Sequence, residues 1–325
     1  MREYAFERPG SVGEAVRRGG SGTAFLAGGT TLVDLMKLEV MAPDRVLDIN
    51  RLPLRGIGTT GGALRIGALA RMSDVAVDPL VRRGFPVVSR ALELSASGQL
   101  RNMASIGGNL LQRTRCGYFR DVSTPCNKRR PGSGCPAIGG ENRTHAVLGT
   151  SDSCVATHPS DLAVALVALD AKVRLQGRDG VRTVDLRDFY LLPGTTPHLE
   201  HDLRPGELLT EVVVPRLDWA RHSTYLKVRD RRSFEFALSS AAVAVRRDGD
   251  TILEARVAVG GMGARPWRLT AVEEALAGRR ASEETYAAAA AAAVGGARPL
   301  RHNAFKPELM KRTLIRALLE LEQTR

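Results

Sequence analysis

Between residues 113 and 155 the chain abandons the periodicities from which packed elements are built. The run CGYFRDVSTPCNKRRPGSGC, Cys116 to Cys135, mixes Gly, Pro, Ser and charge with no apolar repeat of strand or helix period. Such a stretch is too polar and too punctuated to pack as an element. Three of the four cysteines in the chain lie inside it, and the fourth, Cys154, follows. Nine, eight and eighteen residues separate successive cysteines.

Each reading of these thiols carries a physical condition. Disulfides suit an oxidising compartment and need matched geometry. Inert buried thiols need an apolar surround, which a Gly/Pro-rich loop does not supply. Zinc most often uses C-x-x-C knuckles, and there are none here. An iron–sulfur cluster tolerates irregular spacing because it organises the loop around itself, and it takes four thiolates. The run NKRRP adds positive charge that favours thiolates, and Gly132, Gly134, Gly139 and Gly140 would let backbone N–H groups turn toward sulfur. The residues favour a metal over none, with iron–sulfur and zinc both open.

At 325 residues the chain exceeds one ordinary core, so two or three domains are expected. Residues 1–55 read as a first lobe, with a capped helix from Ser11 to Arg18. The strand TAFLA, a Gly-Gly turn, a helix from Thr31 to about Leu38 and the strand DRVLDIN then make a βαβ-like unit. Residues 56–215 read as a second lobe. LRGIGTTGGALRIGA is a hairpin, the segment from Ser73 to Ser97 is helical in two pieces broken at Pro86, and SCVATH, KVRLQG and VRTVDL are strands. SDLAVALVALDA is a capped, almost wholly apolar and therefore buried helix. From 220 to 325 the pattern is α+β: two β runs around the turn DGD, then three helices.

Two glycine pairs carry the strongest chemical signal. AGGTTL, residues Ala27, Gly28, Gly29, Thr30, Thr31 and Leu32, joins a strand to a helix, where free N–H groups and hydroxyls meet an anion. SIGGN repeats the logic with Ser105, Gly107, Gly108 and Asn109. Singly each is a tight turn; together they suggest an extended dinucleotide held at two places. No G-x-G-x-x-G follows the first strand and no P-loop is present, so neither of those modes is supported. Asp161, at the start of the apolar helix, reads as an N-cap residue or as a carboxylate for a ribose or adenine. The net charge of +12 with 5% aromatic residues and scattered Arg points to acidic partners or an anionic cofactor rather than nucleic acid. No apolar run is long enough to span a bilayer.

AGGTTLVDLMK, SIGGNLLQ, HPSDLAVALVALDA, YLKVRDRRSFEFALSSAAVAV and VAVGGMGARPWRLTAVEEALAG stand in the order found in the FAD-binding subunit of the molybdenum hydroxylases, the xanthine dehydrogenase and carbon monoxide dehydrogenase family, which the chain resembles over nearly its whole length. The resemblance implies an α+β chain: a two-lobed FAD-binding domain of the vanillyl-alcohol-oxidase (PCMH) type and a C-terminal domain with an antiparallel sheet and three helices. It implies that Ala27 to Leu32 cradle the pyrophosphate of FAD, and that Ser105, Gly107, Gly108 and Asn109 form the second pyrophosphate and ribityl loop. Asp161 would lie on the adenosine side and Lys227 near the isoalloxazine ring, where a cation stabilises the anionic reduced flavin. Without the resemblance Lys227 would read as an exposed strand lysine.

The resemblance also decides among the cysteine readings. A subgroup of this family, the periplasmic aldehyde-oxidising type being most similar, carries a [4Fe–4S] cluster on a loop here. Cys116, Cys126, Cys135 and Cys154 are then its ligands. It further implies a large molybdenum-cofactor subunit, a small [2Fe–2S] subunit and an external electron acceptor, with no catalytic acid or base on this chain. The start of the sequence lacks a signal-peptide pattern, so a cytoplasmic location is expected, with periplasmic co-export on a partner subunit as the variant. Two other functions compete: a stand-alone flavin oxidoreductase of the same fold, and a zinc-stabilised nucleic-acid-binding protein.

Overall fold

The structure, a computed structural model, describes residues 1–323. Its first unit holds β1 (Ala5–Glu7), α1 (Val12–Arg18), β2 (Thr23–Leu26), α2 (Leu32–Lys37) and β3 (Arg45–Asp48). The three strands form a parallel sheet in the order β1-β3-β2. Ser11 caps α1 by accepting from the Glu14 amide at 3.1 Å. Glu14 in turn accepts from the Gly10 amide, which closes a capping box displaced by one residue.

The second unit opens with the hairpin β4 (Ile57–Thr60) and β5 (Ala63–Gly67). The helices α3 (Met72–Val77), α4 (Pro79–Gly84), α5 (Pro86–Glu93), α6 (Gly98–Met103), α7 (Ile106–Leu110) and α8 (Gly117–Arg120) follow. The helical stretch expected in two pieces is three, because Asp78 ends α3 and caps α4 just before Pro79. After α9 (Asp161–Ala168) come β6 (Lys172–Gly177), β7 (Gly180–Asp185), α10 (Leu186–Phe189) and β8 (Leu208–Val214). The five strands order as β4-β5-β8-β6-β7, all antiparallel. The expected strand SCVATH is absent as a strand, with only a Ser151–Cys154 bridge in its place. Its backbone groups pair instead with the loop and with residues near 263, through Ala146 N to Val155 O and His158 N to Gly263 O.

The third unit is a four-stranded antiparallel sheet, β9 (Ser223–Val228), β10 (Ser239–Asp248), β11 (Thr251–Gly260) and β12 (Trp267–Arg268), with α11 (Thr270–Leu276), α12 (Glu283–Ala291) and α13 (Lys306–Gln323). Alternation along its strands separates two cores. Ala241, Val243, Val257 and Val259 pack with Leu314 and Leu318 of α13. Tyr225, Ala242 and Ala258 face the other way and join α9, α5 and the second unit. This explains the composition of α9: it lies between two units, every residue from Asp161 to Ala168 is buried, and no polar face is needed.

Candidate cofactor sites

A long cleft runs over both glycine loops. One lobe, about 550 Å³, is lined by Ala27, Gly28, Gly29, Thr30, Thr31 and Leu32, by Ser105, Gly107 and Gly108, and by a segment that includes Glu200 and Arg204. A second lobe, about 450 Å³, shares Thr30, Thr31 and Gly108 with the first and continues past Asn109, Asp161, Lys227 and Phe236. The structure thus brings all twelve residues expected at the cofactor onto one continuous cleft.

Local packing explains why glycine stands in these loops. A Cβ on Gly28 would lie 2.0 Å from the Met103 carbonyl oxygen, and one on Gly107 would meet Ala68 at 3.0 Å. Gly29 has φ +74°. Thr31 occupies the N-cap of α2 without capping through its side chain, and the residue lines both lobes of the cleft. Ser105 accepts from the Gly108 amide at 3.2 Å, and the Ser160 hydroxyl donates to Asn109 Oδ1 at 2.6 Å. The second loop is therefore tied directly to the start of α9.

Sequence reading missed the residues that hold the first loop. Asn50 donates from Nδ2 to the carbonyls of Ala27 and Leu26, at 2.8 and 3.3 Å. Arg71 donates to Asn50 Oδ1 and to the Met103 carbonyl. The only sequence signal was Asn50 standing just beyond β3.

One expectation needs correction. Lys227, expected near the isoalloxazine ring, stands beside Asp161, expected on the adenosine side. Its ammonium pairs with the Asp161 carboxylate at 2.7 Å, the two side chains being 1% and 6% exposed. Tyr225 and Ser95 donate to the same carboxylate at 2.8 and 3.0 Å. Burial, with the Asp161 charge, pushes the Tyr225 hydroxyl well above its ordinary pKa. An extended dinucleotide separates its adenosine from its flavin ring, so Asp161 cannot serve the former while Lys227 serves the latter. The two were assigned from motifs 66 residues apart, with nothing in the sequence to measure the distance between them.

The four cysteines are all free thiols, and all four line one small cavity beside Tyr118, Lys128 and His145. The Ala156 backbone N–H donates to Cys154 Sγ at 3.5 Å, and the backbone amides of Tyr118 and Phe119 near Cys116, and of Ala137 and Val155 near Cys135, favour the thiolate forms. These donors are not the glycines named from sequence; Gly132 and Gly134, with φ +83° and +103°, turn the chain. Nor does the NKRRP run simply face sulfur. Arg129 donates to the carbonyls of Tyr118, Phe119 and Thr124, and Lys128 pairs with Glu200 at 3.1 Å. A hydrogen bond from the Cys154 thiol draws Cys135 down to about 7, and that bond together with burial pushes Cys154 up. Burial pushes Cys116 up to about 11. Among the described residues no three His, Cys, Asp or Glu side chains close on one point to hold a single metal ion.

The cysteine loop is sewn to the first glycine loop. Asp34, in the first turn of α2, pairs with Arg120 at 2.8 Å and with Arg115 at 3.3 Å, on either side of Cys116. Leu35 packs with Phe119 and Cys126. Arg115 lines the second lobe of the cleft, and Cys116 follows it in the chain.

Residues 2–217 match the family of the FAD binding domain in molybdopterin dehydrogenase, and residues 224–321 match the CO dehydrogenase flavoprotein C-terminal domain. The aldehyde oxidoreductase FAD-binding subunit PaoB of Escherichia coli (strain K12) is 48% identical over 325 residues, 98% of each chain. The chain belongs to the FAD-binding subunits of the molybdenum hydroxylases. The glyceraldehyde dehydrogenase medium chain of Sulfolobus acidocaldarius is 30% identical, covering 87% of this chain and 84% of its own. In solved structures, carbon monoxide dehydrogenase from Hydrogenophaga pseudoflava superposes with a TM-score of 0.77 at 27% identity, covering 99% of this chain and 98% of that one. The chain is therefore an FAD-binding oxidoreductase subunit with the α+β fold expected of that family. Among the described residues no helix is long and apolar enough to cross a membrane.

Proposed function

We propose that this chain is the electron-transfer subunit of a molybdenum-containing aldehyde dehydrogenase, and that Cys116, Cys126, Cys135 and Cys154 hold a [4Fe–4S] cluster in it. A small [2Fe–2S] subunit would deliver electrons from a large molybdenum-cofactor subunit, and an external acceptor would take them from this chain. The observation that carries the cluster is that four free thiols line one small cavity, with the Ala156 backbone N–H donating to one of the sulfurs. The aldehyde assignment is supported by the names of the relatives at 48% and 30% identity.

When bound, FAD supplies the exchange between two-electron and one-electron chemistry. The work left to the protein is position and electrostatics. Ala27 to Leu32 and Ser105 to Asn109 would hold the pyrophosphate where the two lobes of the cleft meet. The flavin ring belongs in the lobe of Asp161, Lys227 and Phe236, because that lobe adjoins the cysteine loop through Arg115. There Lys227, held by Asp161 in a mutually neutralising pair, would offer the ring an ammonium N–H rather than a net positive charge. The adenosine belongs in the opposite lobe, which replaces the earlier role for Asp161.

An anaerobic visible spectrum of the purified chain, with iron, zinc and sulfide assayed on the same sample, tests this. Flavin bands with a broad shoulder in the blue and about four irons per chain support both cofactors. Flavin with zinc or no metal would remove the cluster and keep the family.

A further inference from the structure

His145 is the one side-chain N–H among the described residues within hydrogen-bond reach of a cysteine sulfur. Its Nε2 lies 3.2 Å from Cys116 Sγ, and the residue is 5% exposed. The position is built rather than incidental. The His145 carbonyl is gripped by Lys306 Nζ at 2.9 Å and Asn303 Nδ2 at 3.2 Å, both from the start of α13 or just before it. Lys306 is wholly buried and also donates to the carbonyls of Thr144 and Gly261, at 3.1 and 2.7 Å. Asn142, also wholly buried, donates to the carbonyls of Ala137 and Gly140 and accepts from the His302 amide. The third unit thus clamps the backbone on both sides of the imidazole.

The ring has one proton placement that suits this surround. A thiolate holding a metal accepts hydrogen bonds and donates none, so the nitrogen facing it carries the proton. The other nitrogen, Nδ1, is buried without a partner. Left as a bare acceptor it costs less than an orphaned N–H would. Cys116 and His145 line both the cysteine cavity and a neighbouring cavity of about 220 Å³. That neighbour shares Arg115, Asp161 and Phe236 with the flavin-side lobe of the cleft. The histidine therefore meets the sulfur that faces the flavin side.

We propose that His145 is a positioning residue for the cluster: its Nε2–H donates to the Cys116 sulfur and raises the reduction potential of the cluster. One-electron reduction increases the negative charge shared by the four sulfurs, and a hydrogen bond to one of them favours the more negative state. The inference rests on the [4Fe–4S] reading given above.

The test is a redox titration, followed by electron paramagnetic resonance, of the FAD- and iron-loaded chain and two variants. His145→Leu removes the donor, and His145→Gln keeps an N–H. The expected result is a midpoint shifted to lower potential in His145→Leu, mostly restored in His145→Gln, with iron and sulfide contents equal to wild type. An unshifted midpoint in His145→Leu at full iron content overturns the inference and leaves the cluster intact. Should His145→Leu lose iron, pulsed resonance on 15N-histidine-labelled wild type decides. A weak nitrogen coupling that is lost in His145→Gln supports the hydrogen bond. No histidine coupling, or one strong enough for direct iron ligation, overturns it. Wild-type protein without iron defeats the [4Fe–4S] reading instead.

Discussion

Lys227 Nζ lies 2.7 Å from Asp161 Oδ2, deep between the second and third units of the chain. The pair joins the start of α9 to strand β9, so it is at once a weld between units and part of the cofactor cleft. A buried pair of this kind is a weak source of net stability, but breaking it leaves an uncompensated charge. Lys227→Met should therefore cost about 3–5 kcal/mol of unfolding free energy. The double variant Asp161→Asn/Lys227→Met should cost less than the sum of the two single changes. Denaturant unfolding of the four proteins measures that coupling; strictly additive losses would contradict it.

Gly28 supports a sharper expectation. Alanine there drives a methyl group into the Met103 carbonyl, a backbone atom that cannot swing aside. Gly28→Ala should shift the whole first loop away from the second and lower the FAD-to-protein ratio of the purified chain severalfold. Gly84→Ala is the control, since a Cβ there meets nothing within 4 Å and the residue lies away from the cleft. Equal flavin content in the two variants would refute the argument.

Lys306 binds three carbonyl oxygens, from Thr144, His145 and Gly261, with its ammonium fully enclosed. Burial lowers its pKa to about 7, while three carbonyl acceptors match the three N–H donors of the ammonium form. Lys306→Met fills similar volume but orphans the carbonyls, so a loss of about 2–4 kcal/mol is expected. Limited proteolysis should then open the 142–148 segment before the rest of the chain. Cleavage that begins elsewhere would contradict the clamp.

How much of this was legible follows from what is local. The βαβ order of the first unit and the 248–250 turn of the third rest on periods read within a few residues, and they stand as strands and helices. The short β1 carries three residues and no periodic signal, and β8, LLTEVVV, pairs its apolar residues instead of alternating them strictly. The extra break at Pro79 was legible in principle, since Asp-Pro is a capping signal. The cleft residues were legible because their glycines and hydroxyls advertise backbone chemistry. The Asp161–Lys227 pair and the His145–Cys116 contact were not, because each is a distance between segments that no period links. Asn50 and Arg71 escape for the same reason: they meet each other across 21 residues, and their other cleft partners are backbone carbonyls, which every residue owns.

Acid should loosen the joint between the two cofactor loops through Asp34. The hydrogen bond from Arg120, chiefly, and the charge of Arg115 hold its carboxyl below the ordinary value, outweighing burial. A depressed folded value means that the unfolded chain takes up the proton first as pH falls. The stabilisation is thus present above the unfolded carboxyl value of about 3.9 and is lost as pH drops through the lower folded one. Partial exposure makes this one contribution among several, so the comparison with a variant matters more than the absolute curve. Asp34→Asn removes the titrating group and keeps the shape. Wild type should lose more thermal stability than Asp34→Asn on going from about pH 5 to about pH 3, and the two should differ most at the upper end of that window. Parallel curves would mean that Asp34 is no better ionised in the folded chain than in the unfolded one, and that the salt bridges at Arg115 and Arg120 do not hold the loops together.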